Sequence, residues 1–525
     1  MNIGTNPQTI DPRVSTGFPE SHVELALFEG LMRLNDQGNA VPAAAEKVDV
    51  NEDNTVFTFH LRDGLKWSNG DPLTAEDFVW SWKSTLDPLL ASEYAYQLYY
   101  IKGAEEMNTF TSDPKWANAS DEEIKAEFEK LAANFGAVAL DDKTLQVTLV
   151  APTPYFLSLT AHHTYYPVHK ASVEANPDGW FRDPETTVGN GPFKMVSWTD
   201  KDKVVVEKNP NYWDADNIKL DRIEFYLIEE ESTATTMWEN GELDIVQAGV
   251  NTAELDRLKE QYGENGTGEL KILPDMAFYY YICNVEKEPL NDKRVRQALA
   301  YAIDREAIVE EITKGGEPPA RSLVPEGIPD PTGSANDFRK NAGDLFTEDV
   351  QKAQQLLAEA GYPNGEGFPK LTILYNKSEA HQKIAEAIQE MWKKNLNIDV
   401  ELTNQEWAVY LDSRNTGDFD IARAGWMGDY LDPMTFLDMW VTGGGNNDTN
   451  WGNAQYDSLV EFARKSADQN ERMKAMHEAE ALLMDEMPII PIYHYTRIVL
   501  VSKNVQGWSM PATSPLNLRN ASITK

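Results

Sequence analysis

Apolar and polar residues alternate over Val56-Phe57-Thr58-Phe59-His60-Leu61, which predicts a strand because successive side chains there point to opposite faces. The period then changes. Leu73-Thr74-Ala75-Glu76-Asp77-Phe78-Val79-Trp80 opens a helix, with Thr74 as N-cap and Asp77 three residues on to close a capping box. Further along, the pattern predicts a β-α-β unit. Leu371 to Tyr375 is its first strand, and Ser378 caps a helix whose Ile384, Ile388, Met391 and Trp392 share one face; Ile398 to Leu402 returns as a strand. Another helix is predicted from about Asp468 to Met484, with Met473, Met476 and Leu483 inward as core residues rather than a cofactor box. Strand and helix patterns alternate over most of the chain, so the fold class is α/β.

Residues 103–137 are polar with a helical pattern and predict a surface insertion. Glycine- and proline-rich punctuation falls at Gly189–Phe193, Glu317–Gly333 and Gly443–Asn447, and none of it is long enough for a loose linker. No repeat of 20–50 residues is present. A chain of 525 residues exceeds one ordinary core and predicts two or three domains. With 47 basic against 85 acidic residues the net charge is −38, which argues against nucleic acid or an anionic membrane as partner. No window approaches the roughly 20 apolar residues of a membrane span. The single cysteine, Cys283, excludes an internal disulfide, and its setting in YYYICN reads as a small buried hydrophobe.

The common catalytic signatures are missing. There is no Walker loop ending in Gly-Lys-Ser or Gly-Lys-Thr, no G-x-S-x-G elbow and no H-E-x-x-H. Gly189 and Gly191 make a G-x-G without the third glycine, which reads as a tight turn. His162, His163 and His169 come nearest to a metal cluster, but neighbouring residues on a strand face opposite ways, so no metal and no cofactor are expected. These absences favour a binding protein over an enzyme.

The most informative stretch is FDIARAGWMGDYLDPMTF, around Arg423 to Tyr430. An apolar segment ends in an aromatic, a glycine, then one carboxylate beside a tyrosine. Such a segment can lay a ligand backbone against its own and hold an amine at one end. The segment resembles one in the extracellular solute-binding proteins of family 5, the receptors of peptide ABC importers, most closely the oligopeptide-binding branch. The resemblance spans the chain: Gly17-Phe18-Pro19-Glu20-Ser21, Lys66-Trp67-Ser68-Asn69-Gly70, Thr74 to Val79, Asn190-Gly191-Pro192-Phe193, Asn209 to Trp213, Asp292 to Leu299, Asn404 to Trp407 and Pro491 to Tyr495.

The resemblance implies a periplasmic-binding-protein-like two-lobed clamshell (type II, cluster C) with an additional third domain. Lobe I would be residues 1–34, 160–275 and 497–525, the extra domain 35–159, and the second ligand-binding lobe 276–496. It implies short peptides held in extended form as an added strand and handed to a membrane permease by a monomeric receptor. Asp429 would receive the ligand's α-ammonium group, and Gly425, Met427 and the Glu20–His22 segment would supply backbone groups. Trp426 and Trp407 would wall side-chain pockets. Arg423 and Arg414 would lie near the ligand, with Glu20 a candidate ion-pair partner across the cleft. Tyr495 would bond the ligand main chain, and His381 would help with a ligand carboxylate. Gln97 stands where the family often has a tyrosine, and either Thr313 or Lys314 would occupy the position that the family gives to a lysine. Oligosaccharide receptors of the same fold and peptide-pheromone receptors are the alternatives. MNIGTNPQTIDP lacks a basic n-region and an apolar h-region; for an extracytoplasmic protein, periplasmic or lipid-anchored, the expectation is that an export signal has been removed.

Overall fold

The computed structural model describes residues 1–524. The chain divides into two compact units, one made of Asn6–Leu227, Lys465–Ala467 and the segment from Asn504 on, the other of Met1–Thr5, Ile228–Arg464 and Asp468–Lys503.

The unit holding Asn6–Leu227 opens with helix α1 (Phe18–Leu27), which has a proline in its first turn, where the missing N–H costs nothing. The G-x-G turn clamps the far end of α1. A Cβ at Gly189 would stand 2.1 Å from the Leu27 carbonyl oxygen, so only glycine fits. Between the glycines, the Asn190 amide accepts from the Glu29 N–H at 3.0 Å and donates to the Glu29 carbonyl at 2.8 Å. A four-stranded antiparallel sheet follows, made of β1 (Ala45–Val50), β2 (Val56–Leu61), β3 (Ala137–Asp141) and β4 (Thr144–Thr148) in the order β1-β2-β4-β3. The predicted strand is β2, and its alternation buries Phe57, Phe59 and Leu61 on one face. Helix α2 (Ala75–Leu86) has the predicted capping box, with the Thr74 N–H donating to Asp77 at 2.7 Å. The segment 103–137 is helical in part, and its helix Asp121–Ala132 buries only Phe128 and Ala132. A three-stranded antiparallel sheet of β5 (Phe193–Thr199), β6 (Lys203–Lys208) and β7 (Arg222–Tyr226) completes the unit's main elements.

The other unit is built on a six-stranded mixed sheet. Its strands are β8 (Ile245–Val246), β9 (Leu270–Cys283), β10 (Leu371–Asn376), β11 (Val400–Gln405), β12 (Ile421–Met427) and β13 (Ile489–Val501), in the order β8-β13-β9-β12-β10-β11. The predicted β-α-β unit is β10, helix α3 (Glu379–Leu396) and β11, with β10 parallel to β11. Ser378 caps α3 by accepting from the His381 N–H, and Ile384, Ile388 and Trp392 are buried. The return strand begins at Val400 rather than Ile398, because Asn397 ends α3 in the left-handed conformation and the two residues after it complete the turn. Helix α4 (Trp407–Asn415) leads into β12, and helix α5 (Gln469–Glu486), capped by Asp468, buries Met473, Met476 and Leu483 as core.

Strands β9 and β13 pair in two stretches, Leu270–Pro274 with Thr496–Leu500 and Phe278–Ile282 with Ile489–His494, and the register shifts between them. Cys283, at the end of β9, is fully buried, and burial pushes its thiol up to about 12, so it behaves as a small hydrophobe.

One sequence expectation is overturned. His162 and His163 sit in a 3₁₀ turn, not a strand, and their ring centroids lie 4.0 Å apart rather than on opposite faces. His162 is held by Thr164 at 3.1 Å and His163 by the Ser15 carbonyl at 3.1 Å, and burial lowers His162 to about 3. No group of three or more His, Cys, Asp or Glu side chains is arranged to hold a metal ion among the described residues.

Glu24 on α1 is fully buried, and burial pushes it up to about 8 against the pull of the Ser15 hydroxyl. The folded chain therefore keeps a proton that the unfolded chain, titrating near 4.5, gives up. The stability linked to that proton is full below pH 4.5 and is lost as pH rises toward 8. Glu24→Gln is expected to leave the melting temperature at pH 4 unchanged and to raise it at pH 9 by at least about 2 °C in differential scanning calorimetry.

Candidate functional site

β12 carries the centre of the candidate site. Along one edge it runs antiparallel to β9 from Ile421 to Met427, and along the other it pairs with β10 only at Ile421 and Ala422. Gly428 N–H donates to the Met276 carbonyl at 2.8 Å, which fixes the ladder. In an antiparallel pair, alternate residues exchange both bonds with the partner. Gly428, Trp426 and Ala424 therefore bond to β9, and Arg423, Gly425 and Met427 turn their N–H and C=O groups to the other edge. The Arg423 carbonyl accepts from the Tyr410 hydroxyl on α4. Gly425 is exposed and Met427 half-buried, and no strand lies beside either on that edge among the described residues.

The same alternation places Arg423 on one face of the sheet with Tyr279 and Tyr281 of β9, its neighbours in register being Tyr281 and, two residues on, Tyr279 opposite Gly425. The Arg423 guanidinium lies over the Tyr279 ring at 4.7 Å, donates to the Tyr495 hydroxyl at 2.5 Å and to the Asn376 side-chain oxygen at 3.2 Å. Its Nε–H has no hydrogen-bond partner, and no carboxylate lies within ion-pair distance of it, among the described residues. Arg423 is thus a buried cation (9% exposed) satisfied only by neutral groups. A methyl group added at Gly425 would meet Tyr495 Oη at 3.1 Å and Arg423 Nη2 at 3.2 Å, so glycine keeps the edge clear beside this pair. His381 joins the cluster at the start of α3, its Nδ1 3.4 Å from the Tyr279 hydroxyl. Burial first, and then the Arg423 charge, push the His381 ring well below its ordinary value, so it is neutral at pH 7.

Beyond the strand, Asp429 is half-buried, and its N–H donates to Thr435 Oγ1 at 2.9 Å. Trp426 is buried on the face opposite Arg423, where its indole N–H donates to the Thr435 carbonyl at 2.8 Å. Met427 lies 3.4 Å from the Arg497 guanidinium, which pairs with Asp275 at 2.8 Å where the β9–β13 register shifts. Trp407 is half-buried and stacks on Tyr410 at 5.7 Å. Arg414, on the same helix, is paired with Asp448 at 2.5 Å and lies 5.6 Å from the Tyr410 ring centre.

The sequence-predicted residues Arg423, Gly425, Tyr495 and His381 therefore converge. Asp429, Trp426 and Met427 follow along the same strand, and Trp407 and Arg414 reach Arg423 through Tyr410. Glu20 and His22 lie on α1 of the other unit, both buried; Glu20 accepts from the Gln8 N–H at 2.6 Å, and His22 Nδ1 faces the Phe18 carbonyl at 2.8 Å. Thr313 is buried and donates to Glu317 at 2.8 Å, while Lys314 reaches Asp256 at 2.7 Å. Gln97 is fully buried in the unit holding α1. Sequence reasoning missed Tyr279, Tyr410, Asn376 and Thr435. The alternation within Phe278-Tyr279-Tyr280-Tyr281 was a usable signal for the first of these; Tyr410 and Asn376 come from other elements, and Thr435, only six residues from Asp429, reaches it across a turn that no local pattern marks.

The family profile described as bacterial extracellular solute-binding proteins, family 5, matches residues 39–448, and the chain belongs to that family. Its fold class is accordingly the α/β, periplasmic-binding-protein-like clamshell. Among relatives, the oligopeptide-binding protein OppA of Bacillus subtilis is 39% identical over 99% of this chain and 92% of its own. The dipeptide-binding protein DppE of the same species is 37% identical over 97% of this chain and 88% of its own. The crystal structure of Haemophilus influenzae OppA in complex with RPPGFSPFR superposes with a TM-score of 0.88 at 33% identity, covering 100% of this chain and 98% of that one. No helix among the described residues is long and apolar enough to cross a membrane.

The neutrality of His381 gives a direct check. Its ring is expected to titrate below an ordinary imidazole in ¹⁵N–¹³C correlation spectra, and a midpoint at or above the ordinary value would contradict a ring desolvated beside the Arg423 charge.

Proposed function

We propose that this protein is the peptide receptor of an ABC importer, binding short peptides in extended form through β12 and delivering them to a membrane permease on the outer side of the cell membrane. One observation carries the reading: a bare strand edge at Gly425 and Met427 runs between a buried cation without a carboxylate partner, Arg423, and a carboxylate, Asp429. An extended peptide presents the complement of all three, a strand's N–H and C=O groups with an ammonium at one end and a carboxylate at the other. Main-chain pairing makes binding tolerant of side chains, and the two charges select free termini. Neutral His381 and Tyr495 can donate or accept hydrogen bonds beside the carboxylate, while Arg423 supplies the charge. A neutral sugar could hydrogen-bond to either group but would leave both charges without a counter-charge, and so gains little from this arrangement. The named ligands of the relatives, oligopeptides and dipeptides, agree with this reading. The division into lobe I, an extra domain at 35–159 and a second ligand-binding lobe at 276–496 belongs to the same proposal, as does a binding rather than a chemical role.

Trialanine is expected to bind the wild type in isothermal titration calorimetry, and Asp429→Asn and Arg423→Gln are each expected to weaken it at least about tenfold, since each removes a charge-assisted contact. Mass spectrometry of small molecules released on denaturation is expected to find short peptides with free amino termini. Oligosaccharides in their place, or unchanged affinity in both variants, would overturn the proposal.

A further inference from the structure

Asp429 follows the strand's end, so nothing in the β-ladder fixes where its carboxylate points. Thr435, six residues on, bonds it twice. The Asp429 N–H donates to Thr435 Oγ1 at 2.9 Å, and the Thr435 hydroxyl donates back to Asp429 Oδ2 at 3.3 Å. A hydroxyl can do both at once, accepting on a lone pair while its single proton goes elsewhere. The carbonyl of the same residue accepts the Trp426 indole N–H at 2.8 Å, so one residue ties the last buried side chain of β12 to the carboxylate after it. Thr435 is fully buried, and its methyl group and the Phe436 ring fill the space beside Gly428, where an added Cβ would stand 3.1 Å from Thr435 Cγ2 and 3.0 Å from Phe436. The turn carrying Thr435 is anchored in its own unit: Asp432 caps the Met434 N–H at 3.0 Å and holds Arg472 of α5 through both its oxygens, at 2.6 and 2.7 Å.

We infer that Thr435 is a positioning residue for ligand-amine recognition: its hydroxyl holds and aims the Asp429 carboxylate. The inference rests on the peptide reading above for its ligand, but the arrangement of Thr435 and Asp429 does not. Thr435→Val keeps the shape and removes both side-chain bonds, and Thr435→Ser keeps the hydroxyl. Two measurements test the role. In the first, calorimetry compares trialanine with N-acetyl-trialanine. The preference for the free amine is expected to fall at least threefold in Thr435→Val, through weaker binding of trialanine, and to return in Thr435→Ser. A residue with a merely structural role would weaken both peptides alike, and that result overturns the inference. In the second, the ¹³Cγ titration of Asp429 is followed without ligand. Loss of a donor to the carboxylate is expected to move its midpoint up by about half a pH unit or more in Thr435→Val, with recovery in Thr435→Ser; no movement overturns the inference. A wild type that binds neither peptide would overturn the peptide reading, and the titration would still decide the role of Thr435.

Discussion

The structure turns on a strand inside a sheet that is bare along part of one edge. Backbone N–H and C=O groups are obligatory hydrogen-bonding groups, and an interior strand normally satisfies them on both sides. β12 does so on the β9 side throughout and on the β10 side for two residues only. Past Ala422, β10 runs on beside β11 to Asn376 while β12 continues without it. The first group uncovered on that edge, the Arg423 carbonyl, is met by Tyr410 from α4, and those of Gly425 are left at an exposed position. A bare edge is a liability, because it templates pairing with any extended chain. In the proposed reading the same property becomes the recognition device, restricted to a few residues by α4 at one end and by the turn at Gly428 at the other.

Charge then decides what may pair there. Arg423 is held by a tyrosine hydroxyl, an asparagine oxygen and an aromatic face, all neutral, in surroundings where a charge is costly to strand. That contrasts with the other buried arginines of the unit. Arg472 has Asp432, Arg339 has Glu480 and Arg497 has Asp275, each within 2.8 Å; Arg305 has Glu348 at 3.2 Å, and Arg296, held chiefly by backbone carbonyls, has Glu486 at 3.9 Å. The packing thus distinguishes structural cations, each neutralised within the fold, from one whose counter-charge the fold does not supply. The neutrality of His381 follows from the same source, since a second positive charge beside Arg423 would be repelled as well as desolvated.

Much of this was legible in the sequence wherever the signal is local. The alternation of Val56–Leu61, the Thr74–Asp77 box and the Ser378 cap were each found where predicted, because short-range sterics and hydrogen bonding fix them. RAGWMGDY marked the candidate strand through its resemblance to the family's segment, since an aspartate after a glycine, read alone, is more often a turn or a cap. What could not be read is whatever depends on how the chain folds back or how elements meet in space. Tyr410 reaches Arg423 from another element, Tyr279 reaches Gly425 across a ladder formed with a strand far upstream, and Thr435 reaches Asp429 around a turn. The histidine pair failed for a different reason: Tyr94 and Ser15 pack against a turn that the polarity pattern gives no cause to expect, so strand alternation was the wrong geometry to apply.

The long strands β9 and β13 set the bare edge beside an interruption in their own pairing. Each is continuous, yet their pairing is interrupted between Pro274 and Phe278, where Asp275–Ala277 face a stretch of β13 out of register. A ladder resists bending where its bonds are regular and yields where they are interrupted. The interruption stands beside the site, since Ala277 is in register with Met427, the Met276 carbonyl takes the Gly428 N–H, and Tyr495 lies in the gap on β13. The buried Asp275–Arg497 pair sits in that gap, and through Met427 it touches the end of β12. The interruption therefore adjoins the strand end that carries Gly425, Met427 and Asp429, so the register shift between β9 and β13 helps to set where that end stands.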